Sequence, residues 1–231
     1  MPLQFVVSIA GIIRIFAKVL VVPLSLIIFF SCHLSKQMQS QNLNTAGASD
    51  SLLIDRIGNE YPVKVLLDGN LWMTTNLNTN IPNSFCYENE ENNCRLYGRL
   101  YVWQTAVLGC KLFGGGWRLP SDSEWNQLVK LYGGDSAVSL GARQIAYKNL
   151  LPGGSSGFNA LFGGGRAPDN VYGRLDAHGF YWTGTDTDSS SAWYYNFAKG
   201  SQALYQQDGG EKTSAFSVRC IKSLVLNSKK F

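Results

Sequence analysis

Hydrophobic and polar positions divide the chain into three stretches. Residues 19–31 are an uncharged apolar run, Val-Leu-Val-Val-Pro-Leu-Ser-Leu-Ile-Ile-Phe-Phe-Ser. Residues 33–55 are dominated by Ser, Gln and Asn without helical or strand periodicity, the pattern of a polar tether. From Tyr61 onward, short periodic segments alternate with turns. Tyr61 to Leu67 and Leu71 to Leu77 flank Asp68-Gly69-Asn70 and predict a β-hairpin, with Pro62 suited to a strand start or edge. Residues 78–95 read as a polar loop. From about Leu100 to Phe113, Trp103, Val107 and Cys110 have the spacing of a buried first helix. The stretch Gly116 to Trp125 then predicts the start of a second. Pro120 restricts Leu119 to extended backbone. Ser121 and Glu124 form a capping-box signature. Trp125, Leu128, Val129 and Tyr132 recur at helical spacing, and Gly133-Gly134 stops the helix.

Residues 133–157 are irregular, with Leu140 to Leu150 readable as a short helix or a strand. Gly153 to Gly157 lacks the Lys-Ser/Thr ending of a phosphate-binding loop and reads as a turn. Strands follow at 179–185, 192–197, 203–206 and 214–222, separated by turns at Asp186–Ser191 and Asp208–Gly210. In the last of them Phe216, Val218 and Cys220 fall on one face at period two. This order predicts an α+β domain over residues 56–226: an early hairpin, two helices and a small, mainly antiparallel sheet with long loops. Residues 227–231 form a tail.

Composition agrees with a compact, turn-rich domain, because the chain holds 24 Gly alongside 6 Trp, 11 Tyr and 12 Phe. The formal charge of +4 overstates its basicity. Arg14 and Lys18 precede the apolar run, and residues beyond 31 carry 18 basic against 16 acidic side chains, scattered along the chain. Such a balance argues against nucleic-acid binding. Arg14, Lys18, the apolar run and Ser31-Cys32 together predict a signal peptide over 1–31 and lipidation of Cys32, with 32–55 as the tether. A retained membrane anchor and ordinary secretion are the alternatives. Each places the domain outside the cytoplasm, and the lipidated form implies a membrane-anchored, palmitate-bearing envelope protein, most simply at the outer membrane.

The remaining cysteines, Cys86, Cys94, Cys110 and Cys220, allow three pairings in an oxidising compartment. Local closure favours Cys86 with Cys94, leaving Cys110 with Cys220. No CxxC pair supports a zinc site. Glu88, Glu90 and Glu91 raise the question of calcium, but their spacing does not match an EF-hand loop and solvated acids are the simpler reading. His33 lies in the tether and His178 in a turn, so neither reads as catalytic.

Several motifs in order resemble the Fibrobacter succinogenes major paralogous domain, a family of exported proteins and lipoproteins of the Fibrobacterota and Bacteroidota. They are Trp72-Met73-Thr74-Thr75-Asn76-Leu77, the segment Cys86 through Trp103, Gly116 to Trp125, and Phe216-Ser217-Val218-Arg219-Cys220. Ala215 replaces the Gly before Phe216, and Lys111-Leu112-Phe113 departs from the family's usual Pro-x-Gly-Trp. The resemblance covers about residues 57–222. It implies a fold related to the C-type lectin-like and formylglycine-generating enzyme folds, and a Cys110–Cys220 closure of that kind. It carries over no catalytic residue.

The expected function is therefore a non-enzymatic surface module that binds a glycan or a protein. Candidate contacts are Trp182, Trp193, Tyr194, Tyr195 and Tyr205, each with core packing as the plainer role. A structural subunit of an envelope assembly is the second reading. A formylglycine-generating enzyme, which needs reactive cysteines or a metal, is the third. No cofactor is expected.

Overall fold

The computed structural model describes residues 51–133 and 139–224. Residues 1–31, expected to be a signal peptide, Cys32, most of the expected tether and the expected 227–231 tail lie outside the described residues.

The architecture is α+β, with two sheets and four α-helices among the described residues. Strand β1 (Ser51–Ile54) lies inside the stretch expected to be tether, because it pairs antiparallel with β2 (Glu60–Val65). β2 and β3 (Leu71–Met73) form the expected hairpin, with Val63 opposite Met73 and Val65 opposite Leu71. The last described strand, β12 (Ile221–Lys222), completes this first sheet in the order β1-β2-β3-β12.

The segment expected to be polar loop contains β4 (Ser84–Phe85), a 3₁₀ turn at Tyr87–Asn89 and helix α1 (Glu91–Tyr97). α1 has little apolar periodicity. It buries Cys94, which is bonded to Cys86 with an S–S distance of 2.06 Å. The helix expected from Leu100 begins later. Leu100–Val102 is strand β5, and α2 covers Trp103–Lys111. Gly98, at φ 76°, turns the chain beneath Asn76, where an added Cβ would come within 2.7 Å of the Asn76 Cβ. The next residues then pair with β4 and with a late strand, so tertiary pairing overrides their helical spacing.

α3 (Asp122–Gly133) starts as its capping box predicts. Ser121 Oγ accepts from Glu124 N at 3.3 Å, and Glu124 Oε2 accepts from Ser121 N at 2.8 Å. Arg118 clamps the same carboxylate with two bonds of 2.7 Å, so it is a scaffold residue. Burial works against the Glu124 carboxylate, but Arg118 and Ser121 outweigh it and hold the group below its usual range. Replacing Glu124 by Ala therefore costs on the order of 1 kcal/mol, because the cap is lost while the ion pair is partly solvated. Urea denaturation checks this. α4 (Leu140–Leu150) is a helix, capped by Ser139 Oγ accepting from Ala142 N at 3.2 Å.

The second sheet is larger than the small one expected. Its order is β10-β9-β8-β6-β11-β5-β4, with β7 beside β6. It adds β6 (Gly163–Arg166), β7 (Tyr172–Leu175), β8 (His178–Asp186), β9 (Ser191–Ala198), β10 (Ala203–Glu211) and β11 (Ala215–Phe216). Among the described strands, β6 and β8 pair in parallel, and Tyr181 makes an isolated parallel bridge to Ser217. β10 runs through the expected Asp208–Gly210 turn by an irregularity between Gln207 and Gly210.

The expected strand over 214–222 is instead two short strands in different sheets. Between them the chain threads the interior. Ser217 N donates to Phe180 O, Leu77 N to Val218 O and Met73 N to Cys220 O, at 2.9–3.0 Å. Both faces are consequently buried: Ser217, Val218, Arg219 and Cys220 are all 0 % exposed. Cys220 is bonded to Cys110 of α2, 110 residues earlier. On one side, Trp125 stacks on Tyr195 at 5.0 Å and meets Trp72 edge-on at 5.4 Å. On the other, Trp182 lies 4.4 Å from Phe216. Trp117 is also buried.

Candidate functional site

The five aromatics proposed from sequence do not converge. Trp182 is fully buried, with Nε1 donating to Tyr101 O at 2.8 Å. Tyr195 is 2 % exposed and stacked on Trp125, and burial pushes its phenol well above the usual value. These two are core residues, because β8 and β9 are covered on both faces and alternation does not free a side. Tyr194 is half-buried against Phe216 at 4.9 Å, and burial raises its phenol too. Trp193 is half-buried. Tyr205 lies beneath the Arg143 guanidinium at 5.7 Å. His178 bonds Asn196 through Nδ1 at 2.9 Å and stacks on Phe180, a structural placement.

Glu88, Glu90 and Glu91 are exposed. Among the described residues, the one His/Cys/Asp/Glu group within mutual ligand reach is Cys86, Glu91 and Cys94, and its two sulfurs are bonded to each other.

A different region forms the principal cleft, of about 740 Å³. Its walls come from five separated stretches: β4, the β5–α2 junction, the end of β6 with the following turn, the Asp186–Ser191 turn, and the β10–β11 connection. Phe85 on β4 supplies an apolar floor. The Arg166 guanidinium, at the end of β6, lies 4.0 Å from the Phe85 ring centroid and 5.9 Å from that of Tyr172. Arg166 also bonds the Asn170 side chain, which orients its planar donors. Asn83, Gln104 and Glu211 line the same cleft, and their side chains make no hydrogen bond within the described residues.

Lys212, which lines the same cleft, is held rather than free. Its Nζ pairs with Asp186 Oδ1 at 2.9 Å, donates to Asp188 O at 2.8 Å, and lies 4.6 Å from the Trp103 ring centroid. Asp188 ties its own turn. Ser190 N, Ser190 Oγ and Ser191 N donate to Oδ1 at 2.7–2.9 Å, and these bonds draw its carboxyl below the usual value. The rim is therefore fixed in shape, while the side-chain amides of Asn83 and Gln104 and the carboxylate of Glu211 remain available. That arrangement suits recognition of a polar ligand with an apolar face. Sequence reading missed the cleft because Asn83, Phe85, Arg166 and Glu211 share no motif or period. The one local signal was Arg166 directly after Gly163-Gly164-Gly165, where small residues let the strand sit close beneath its neighbours.

A second concavity, about 420 Å³ and mostly apolar, lies between the turn after β1 and α2. Asp55 anchors that turn. It accepts from Ile57 N, Asn59 N and Asn59 Nδ2, and from the Tyr61 and Thr79 hydroxyls, at 2.8–3.0 Å. Burial raises the Asp55 carboxyl, but the bonds from Asn59, Thr79 and Tyr61 outweigh it and hold the group below its usual value. A depressed carboxylate stabilises fully above the unfolded value and loses that contribution as pH falls through the folded one. Acid titration of stability should therefore show a loss below about pH 4. Asp55→Asn should be less stable than the native chain at pH 7 and closer to it at pH 2.5, as read by urea midpoints.

The sequence model of the Fibrobacter succinogenes major domain matches residues 65–222. No curated protein and no solved structure matches the chain.

Proposed function

The chain belongs to the Fibrobacter succinogenes major domain family, and on that premise we propose that it is a non-enzymatic glycan-binding module of an exported, lipid-anchored envelope protein. Cys32 carries the lipid and the segment before Ser51 tethers the domain outside the cytoplasm. The ligand sits in the cleft floored by Phe85.

The observation that supports this reading most is the set Asn83, Gln104 and Glu211, unpartnered within the described residues, around the Phe85–Arg166 stack. Sugars present hydroxyl arrays on their edges and C–H groups on one face. Fixed amides, a carboxylate and a guanidinium match the first, and an aromatic floor matches the second. A relation to the C-type lectin-like and formylglycine-generating folds is consistent with Cys110–Cys220 joining a helix to the terminal strand. That likeness concerns architecture and does not supply the activity. With Cys86, Cys94, Cys110 and Cys220 all bonded in pairs, thiol chemistry of the formylglycine type would first require reduction of a disulfide.

A glycan array probed with the exported chain tests this reading. Binding to a restricted set of glycans is expected, and it should persist in EDTA, because Glu211 is the only carboxylate among the cleft-lining residues. No retained glycan would sink the proposal. Loss in EDTA would instead transfer the site to the acidic 88–91 segment.

A further inference from the structure

The apolar concavity beside β1 is distinct from the cleft, and its residues are unusually exposed. Ile57 is 67 % exposed, Ile54 55 %, Leu108 52 % and Leu112 37 %. Leu52, on the same face of β1 as Ile54, is 49 % exposed. Exposed apolar residues gathered in one place mark a contact surface more often than scattered ones do. This patch is also held in place. The turn carrying Ile54 and Ile57 is pinned by five hydrogen bonds to Asp55, and α2 is fixed by Cys110–Cys220.

We propose that this face rests on the lipid surface in which Cys32 is anchored, so that the domain lies against the membrane instead of projecting freely from it. The proposal rests on the lipid-anchor reading above. Two observations point to a lipid surface. First, β1 is where the described domain begins, and Ser51 follows Cys32 by 19 residues. A polar chain of that length has a mean span of roughly 25 Å. An anchor at Cys32 would therefore keep the β1 end of the domain, on average, within about one domain diameter of the bilayer. Second, the exposed Arg56 lines the concavity with the apolar residues, and the exposed Lys111 directly precedes Leu112 in the chain. Cations beside apolar side chains suit anionic headgroups over an acyl layer. Asp55 does not oppose this, since its carboxylate is turned into the bonds that pin the turn. Glu60, opposite Ile54 in the sheet, is the one acid paired directly across from the patch.

The test uses the lipidated full-length product in vesicles of phosphatidylethanolamine and phosphatidylglycerol containing spin-labelled lipid. A fluorophore is placed at Ile57→Cys, or at Ile145→Cys as a control on an isoleucine that is 52 % exposed on α4. Flotation reports anchoring separately. The expected result is flotation of both, with at least a twofold loss of emission at position 57 and little at 145. Adding Ile57→Asp and Leu108→Asp to a chain labelled at Leu52→Cys should abolish quenching there without preventing flotation. Flotation with equal emission at 57 and 145 overturns the orientation and leaves the anchor standing. Failure to float, with no quenching, overturns both. Energy transfer between labels at 57 on different molecules, without lipid quenching, assigns the face to a second copy and likewise overturns the proposal.

Discussion

Replacing Arg219 with methionine lowers the thermal midpoint of the domain by roughly 10–15 °C, corresponding to about 4 kcal/mol. Arg219 is fully buried. Its Nε donates to Asn76 Oδ1 at 2.6 Å, Nη1 to Phe158 O at 2.6 Å and Met73 O at 3.2 Å, and Nη2 to Asn159 O at 2.7 Å. The guanidinium also lies 4.6 Å from the Phe158 ring centroid. One side chain thus joins the end of β3, the 158–159 loop and the threaded C-terminal segment. Burial disfavours the charge and draws its pKa down, but a guanidinium keeps its proton in proteins. No carboxylate appears among its partners, so the charge is met by carbonyl and amide dipoles. Methionine fills much of the space and leaves four acceptors without their donor, at about 1–3 kcal/mol each before relaxation. Lysine restores the charge but not the fork, and recovers a minority of the loss. A midpoint for Arg219→Met within 2 °C of native would show that these bonds are not what holds the interior together.

Removing the Cys110–Cys220 bond with paired alanines costs about 4–5 kcal/mol, against about 2.5 kcal/mol for Cys86–Cys94, because the closed loops differ so much in length. The sequence separations are 110 and 8 residues. The longer bridge joins α2 to the residue after Arg219, so the two largest effects share a neighbourhood. Combining Arg219→Met with the loss of this disulfide should cost less than the sum of the two, since either change alone loosens the same segment. Guanidinium titrations of the single, paired and combined variants read both the ranking and the coupling. Equal costs for the two disulfides would contradict the loop-length argument.

Features set by neighbouring residues were legible in the sequence. The Asp68–Asn70 hairpin, the Ser121–Glu124 cap, the Trp125–Tyr132 stripe and the short Cys86–Cys94 bridge each depend on residues a few positions apart. Where long-range pairing decides, the pattern misled. Leu100–Val102 carries helical spacing but is drawn into the sheet by β4 and β11. Ser214 to Lys222 alternates like a strand but passes between sheets, which buries both faces and hides the role of Arg219. Trp182 and Tyr195 stand in aromatic-rich strands that suggest contacts as well as core packing. Here β8 and β9 are packed on both faces. The cleft was illegible because its residues come from positions 83–85, 102–104, 166–170, 189–190 and 211–213, which only the closed fold brings together.

The decisive measurement of ligand recognition is binding by the Phe85→Ala/Arg166→Ala double variant to whichever glycan the native chain retains most strongly. Native unfolding behaviour of the variant is confirmed in parallel. A cleft centred on these residues predicts at least a tenfold loss of affinity, about 1.4 kcal/mol, with Trp193→Ala and Tyr205→Ala close to native. Undiminished binding by the double variant, with loss in the Trp193 or Tyr205 variant, would place recognition on the β9–β10 aromatics and contradict the cleft.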